Sequence, residues 1–141
     1  MVLADVNVLI CAFRPDVEHH DACRAWLTKV LKSDHAYGVS DLALAAMVRV
    51  VTNPRAFSPP DSLDDAFRFA AAVTRSANAV RLSPGPRHWE IFERVCRDAQ
   101  VRGNRITDAY YAALAIEHGC EWITLDGDYA RFAGLKWRRP A

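Results

Sequence analysis

Neither sign of charge dominates this sequence: 18 lysines and arginines face 17 aspartates and glutamates, a formal charge of +1. Any contact with nucleic acid must therefore rest on a local basic surface rather than on a polybasic tail. A C-x-x-C pair is also missing. Cys11, Cys23, Cys96 and Cys120 are scattered, and a chain of this size does not need disulfides as its main support, so reduced thiols in a cytoplasm are expected. No basic leader precedes the apolar start, and Asp5 and Asn7 interrupt Met1–Ile10. Neither a signal peptide nor a membrane span is expected, and the reading is a soluble, cytoplasmic protein. Internal repeats and low-complexity tracts are absent as well.

What is there is enough for a core. With 141 residues, 51% of them apolar and 25% charged, residues 1–141 read as one globular domain. Val2–Ala4 is a short apolar run. Val6–Phe13 reads as a short helix ended by the turn Arg14-Pro15-Asp16. Cys23, Trp26, Leu27, Val30 and Leu31 fall on one helical face ending near Ser33. Tyr37-Gly38-Val39-Ser40 is brief and ambiguous, whereas Asp41–Val51 reads as a buried helix stopped by Asn53-Pro54. Ser62 with Asp65 resembles a helix start before Phe67, Ala70, Ala71 and Thr74. Ala79–Leu82 reads as a strand, and Trp89, Phe92, Val95, Cys96 and Ala99 mark another helical stripe. Thr107 is placed to cap a helix with the small face Ala109, Ala112, Ala113 and Ile116, stopped by Gly119. Trp122–Leu125 is the last clear strand, and Leu135-Lys136-Trp137 a final edge strand. This alternation predicts an α/β fold, a three-layer α/β/α sandwich around a mainly parallel sheet.

Four aspartates stand where these runs stop: Asp5, Asp108, Asp126 and Asp128. If the runs are parallel strands, their carboxyl ends share one edge, where open α/β folds place ligands. Two carboxylates about 4 Å apart repel by about 4 kcal/mol at an effective dielectric of about 20. A divalent cation offsets that best, and all-oxygen ligands favour Mg²⁺ or Mn²⁺ over zinc. Such an ion polarises a phosphodiester and activates a bound water. Asn7 and Thr124 are candidates to orient the ligands or that water. Each acid also has an ordinary role: Asp5 as a helix cap, Asp108 as a first-turn acid, Asp126-Gly127 as a hairpin turn. Tyr129 and Phe132, spaced as a helical turn, argue against the hairpin.

Three segments carry a resemblance: Leu3-Ala4-Asp5-Val6-Asn7-Val8-Leu9, the stretch from Thr107-Asp108 to Gly119, and Ile123-Thr124-Leu125-Asp126-Gly127-Asp128 through Phe132. In this order they resemble the PIN domain, specifically the VapC-type toxins of bacterial toxin–antitoxin pairs. Ser40–Leu44, Arg49–Arg55 and Gly134–Pro140 are similar to further segments of one VapC subgroup. The resemblance implies a PIN-like fold and a Mg²⁺-dependent endoribonuclease that cuts structured RNA of the tRNA or rRNA class. It also implies a cognate VapB-type antitoxin and a homodimer. Asp5, Asp108 and Asp126 would be the catalytic, metal-binding acids, with Asp128 assisting. One departure stands out: the place of a glutamate common in PIN domains falls on Ala46. Asp41 is the nearest substitute, although an N-cap of the following helix is its more ordinary role. Ala46 motivates the alternative of a catalytically impaired PIN-like module that binds RNA or protein. A phosphatase or phosphoacceptor reading ranks last, because Asp5-Val6-Asn7 lacks the second acid of a D-x-D pattern.

Among the bases, Arg49, Arg55 and Arg105 are candidates for RNA phosphate, with Arg102 beside them and a small terminal cluster of Lys136, Arg138 and Arg139. Trp137 is read either as a stacking platform for a base or as a cover for the sheet edge. One of Tyr110 and Tyr111 is expected to pack inward and the other to line the cleft. His19 and Cys23 stand four apart, but no further zinc ligands at usable spacing accompany them. Glu117, about 13 Å along the helix from Asp108, is expected to face solvent.

Overall fold

The computed structural model describes residues 1–140. Its strands are β1 (Val2–Ala4), β2 (Tyr37–Val39), β3 (Ala79–Arg81), β4 (Glu121–Ile123) and β5 (Trp137–Arg138). They form one sheet in the order β3-β2-β1-β4-β5, every neighbouring pair parallel. The helices are α1 (Val6–Phe13), α2 (His20–Lys32), α3 (Asp41–Val51), α4 (Leu63–Thr74), α5 (His88–Ala99) and α6 (Arg105–Glu117). They pack in two groups, α1 with α2 and α3, and α3 with α4, against the separate pair α5 and α6. This is the expected α/β/α sandwich. The strand order reverses direction between β1 and β4, so their carboxyl ends open a crevice at the point where such folds bind ligands.

The core explains why the sheet sits so close to α6. Ala109, Ala112, Ala113 and Ala115 are fully buried, and their single methyls let the helix lie close to the sheet. Trp122 of β4 is fully buried and stacks between Tyr111 and Tyr129, each ring centroid 5.5 Å away. Its indole Nε1 has no hydrogen-bond partner. A lost donor costs about 1–3 kcal/mol, which the ring's apolar burial outweighs.

Several local expectations shift. Tyr37–Val39, ambiguous as sequence, is a fully buried strand. The last strand is Trp137–Arg138 rather than 135–137. Helix α6 begins at Arg105 after Asn104, so Thr107 lies inside its first turn and is not the cap. Ser62 does cap α4, its hydroxyl accepting from the Asp65 amide at 3.1 Å. Phe67 and Trp89, expected on buried stripes, are 59% and 68% exposed. Their helices bury Ala66 with Val73, and His88 with Ile91 and Val95, instead. No helix among the described residues is long and apolar enough to cross a membrane.

Candidate active site

Register brings the first acid to its partner. Ala4 of β1 faces Ile123 of β4, and the Asp5 amide donates to the Ile123 carbonyl at 2.8 Å. One step further along both strands, the Thr124 hydroxyl donates to Asp5 Oδ2 at 2.6 Å. That hydroxyl accepts from Asn7 Nδ2 at 3.2 Å and from the Asp126 amide at 3.0 Å. Asn7 Oδ1 in turn accepts from the Leu125 amide at 3.2 Å. Asn7 and Thr124 thus lock the chain leaving β4 onto the start of α1. Asp5 occupies the N-cap position of α1, but its side chain makes no capping hydrogen bond. Its carboxylate is given to Thr124 and to the cleft.

The second acid arrives from the opposite layer. Asp108 lies in the first turn of α6, where the helix dipole favours negative charge. Tyr129 donates its hydroxyl to Asp108 Oδ1 at 3.3 Å. The third acid begins a 3-10 helix over Gly127–Arg131, with Asp126 Oδ1 accepting from the Asp128 amide at 2.9 Å. No hairpin forms at Asp126-Gly127, as the spacing of Tyr129 and Phe132 indicated.

Asp5, Asn7, Ala46, Arg49, Asp108 and Asp126 share one cleft of about 300 Å³. Tyr111 and Tyr129 line it too. Asp128 is outside that lining, half exposed, and its carboxylate turns to Arg105 at 2.6 Å. Arg105 also reaches Asp108 at 3.3 Å and Asp126 at 3.6 Å. This arginine, expected to be free for phosphate, is held by three acids. Helix α6 carries it three residues from Asp108, and the 3-10 helix brings the other two acids to it.

Burial and neighbours set the protonation of the site. The Asp5 carboxyl is 6% exposed. Desolvation pushes its pKa up from 3.8 to about 6; the Thr124 hydroxyl and the Val6 amide work against the rise, and the charges of Asp108 and Asp126 add to it. Tyr111 is pushed up to about 12, first by burial and then by the charge of Asp5. Tyr129 rises for the same two reasons. Both phenols therefore stay protonated near neutral pH, and Tyr129 donates a hydrogen bond to Asp108.

Other expected residues fall elsewhere. Asp41 is not on the cleft: Ser40 is the cap of α3, accepting from the Ala43 amide at 3.2 Å, and the exposed Asp41 pairs with Arg81 at 2.8 Å. Ala46, by contrast, is on the cleft wall, so a methyl stands there. Arg55 is exposed beyond α3, in a turn where its amide donates to Asn53 Oδ1, and it is not among the cleft-lining residues. Arg138 pairs with Glu121 at 2.9 Å, and Arg139 donates to the Leu125 carbonyl. Trp137 packs against the core at the sheet edge. Tyr111 faces the cleft, whereas Tyr110 packs against His88 and Phe92. Cys23 is buried beside Cys11 while His19 is exposed, so the two do not face one ligand.

Glu117 does not face solvent. Its carboxylate accepts from the Gly85 amide at 2.8 Å and the Arg87 amide at 3.0 Å. Burial raises its pKa, but these two amides lower it more, and it ends below its ordinary value.

Among the described residues, no three His, Cys, Asp or Glu side chains form a ready-made ligand group. The donor chemistry nevertheless fits a hard dication. Carboxylate oxygens from three separate elements line one cleft, and the guanidinium of Arg105 pairs with two of them as an organic cation.

Comparison with known proteins follows the same lines. Residues 2–135 match the PIN domain family model. The chain is 41% identical over 140 residues to VapC ribonuclease Mb2897 of Mycobacterium bovis, covering 99% of this chain and 95% of that protein. It is 40% identical to ribonuclease VapC25 of Mycobacterium tuberculosis, covering 99% of each. Among solved structures, VapBC2 of Rickettsia felis bound to a promoter DNA fragment superimposes with a TM-score of 0.73 at 14% identity, covering 99% of this chain and 98% of that one. VapBC-1 of nontypeable Haemophilus influenzae gives 0.69 at 14% identity, with the same coverage. The acids at the β1–β4 crevice, the family match and these whole-length identities together make this chain a PIN-domain protein of the VapC type.

Proposed function

We propose that the chain is the toxin of a type II toxin–antitoxin pair, an endoribonuclease that hydrolyses RNA phosphodiester bonds with Mg²⁺, or Mn²⁺ in its place. The observation that carries this reading is the convergence of Asp5, Asp108 and Asp126 on one cleft at the reversal of strand order. Whole-length relatives named as ribonucleases support the reaction, and fold neighbours solved as VapBC pairs support an antitoxin partner of the VapB type. RNA of the tRNA or rRNA class, a homodimer and a cytoplasmic location complete the reading.

Asp5, Asp108 and Asp126 would hold the metal. When bound, it polarises a non-bridging phosphate oxygen and lowers the pKa of its water toward neutrality. The protein's own groups do the rest. Thr124 donates to Asp5 Oδ2, while Asn7 keeps Thr124 in place. Tyr129 fixes Asp108 through Oδ1. Arg49 stands on the cleft lining, where a guanidinium contacts phosphate. Ala46 leaves the α3 wall without an acid, so the ligands come only from the β1, α6 and β4 sides.

The test is direct: purified protein should cut RNA when Mg²⁺ or Mn²⁺ is added and stop with EDTA. Mapping cut sites on total cellular RNA after brief expression, beside an Asp5→Asn control, identifies the target. RNA binding without cleavage, insensitive to EDTA, would replace this reading by the binding-module one that Ala46 favours.

A further inference from the structure

A substrate-binding role does not explain the placement of Arg105. Its two terminal nitrogens touch three carboxylates, Asp128 at 2.6 Å, Asp108 at 3.3 Å and Asp126 at 3.6 Å. Two of those acids are ones a dication would need. Asp108 Oδ1 already accepts from Tyr129 and Asp126 Oδ1 from the Asp128 amide, and Arg105 holds the remaining Oδ2 of each, so a dication competes with the guanidinium for those two oxygens. The side chain is also free to leave: it is 39% exposed, at the first position of α6. Asp128, half exposed and off the cleft lining, is its shortest contact and also meets Arg131 at 3.9 Å.

We propose that Arg105 is an internal counter-ion for the acid cleft: it cross-links Asp108, Asp126 and Asp128, and an entering dication must take Asp108 and Asp126 from it. The proposal rests on the dication reading above and adds a regulatory step to it. The part of Arg105's stabilisation that the dication displaces is the part by which Arg105 lowers metal affinity, since both belong to one thermodynamic cycle. Once displaced toward Asp128 or solvent, the guanidinium remains at the mouth of the site, where phosphate arrives.

The measurement is Mn²⁺ affinity by calorimetry, with melting temperature recorded with and without saturating Mn²⁺, on the full chain. Arg105→Gln should bind Mn²⁺ about threefold to tenfold more tightly than the unmodified protein, the scale of a partly exposed ion-pair network. Arg105→Lys keeps the charge but loses the planar fork, and should fall between the two. Without metal, Arg105→Gln should melt lower than the unmodified protein; with saturating Mn²⁺ the gap should close. A purely structural arginine would leave the same gap in both conditions, and that result, or unchanged or weaker Mn²⁺ binding, overturns the proposal. If neither protein binds Mn²⁺, the dication reading falls and takes this one with it. If the unmodified protein binds and Arg105→Gln binds no better, only the counter-ion role falls.

Discussion

Two charged clusters in this molecule differ in how completely their charges are matched. Around Arg14, 8% exposed at the end of α1, every partner is in place: Asp16 through two bonds of 2.9 and 2.7 Å, Asp61 at 2.7 Å, the Pro59 carbonyl, and the Phe57 ring 3.9 Å from the guanidinium carbon. One cation meets two anions, the fork is used on both edges, and its face is covered. At the cleft, three of the four aspartates share Arg105, and Asp5, the most buried, has no cationic partner within ion-pair distance among the described residues. A matched cluster has no use for a ligand. An unmatched one leaves carboxylate charge without a partner, the charge that the proposed dication would offset.

The largest test of this contrast is Asp5→Asn. It keeps the shape and the Thr124 hydrogen bond but removes a charge the site needs. RNA cleavage should fall at least about a thousandfold, about 4 kcal/mol of barrier at about 1.4 kcal/mol per factor of ten. Circular dichroism and melting should show the fold intact. Near-normal cleavage by the variant would mean that the unmatched charge is not the chemistry.

Arg14→Met breaks the contrast from the other side. Removing the one cation of this set strands the partly buried Asp61 and uncovers Phe57, a loss of about 1–3 kcal/mol. Urea melts should show the destabilisation, with cleavage per folded molecule unchanged. A variant as stable as the parent would place the Arg14 cluster among surface ion pairs of little consequence.

How far the sequence disclosed these clusters depended on distance along the chain. Asp5, Asp108 and Asp126 were visible because each interrupts a local period, and strand ends in a parallel sheet converge wherever the helices go. Arg14 was hidden inside a turn signal: Asp61, which defines its role, lies 47 residues away. Asp41 is a site candidate only as the acid nearest the gap at Ala46, with capping as its ordinary role; Ser40 caps instead, and Arg81, 40 residues on, takes Asp41. Glu117 was judged only by its rise from Asp108, whereas the loop it holds comes from residues 85–87. Trp89 and Phe67 misled because helical stripes assume that the largest apolar residues point inward. Here small and branched residues fill the space beneath those helices.

The pH dependence of stability sharpens the contrast at the scale of a single group. Asp5 has a native pKa of about 6 against 3.8 ordinarily. Between those values the native state holds a proton that the unfolded chain has lost, so the contribution is fully present below pH 4 and is lost as pH rises through about 6. At about 1.36 kcal/mol per unit the loss approaches about 3 kcal/mol, an upper estimate because other acids, Asp16 and Glu117 among them, shift the opposite way. Subtracting Asp5→Asn isolates the term: metal-free parent and variant should converge near pH 4 and diverge toward pH 7, with the variant more stable. Added Mn²⁺ should reverse the order at pH 7, because it binds the parent alone. A constant difference across that range would remove burial as the source of the raised pKa.

The smallest effect comes from an anion matched first by backbone amides. Glu117 satisfies two backbone amides of the loop before α5, and Gly85 lies so close that an added Cβ would meet Glu117 Oε2 at 2.6 Å. Glu117→Gln keeps one good acceptor but turns an amide donor toward a backbone donor, a loss of about 1 kcal/mol. Gly85→Ala should cost a similar amount by pushing the carboxylate off its amides. Because both changes disturb the same contact, the double variant should be less destabilised than the sum of the two. Additive losses in urea melts would mean that the loop and the α6 terminus are held independently, and that this neutral pairing, unlike the Arg14 cluster, does not act as a unit.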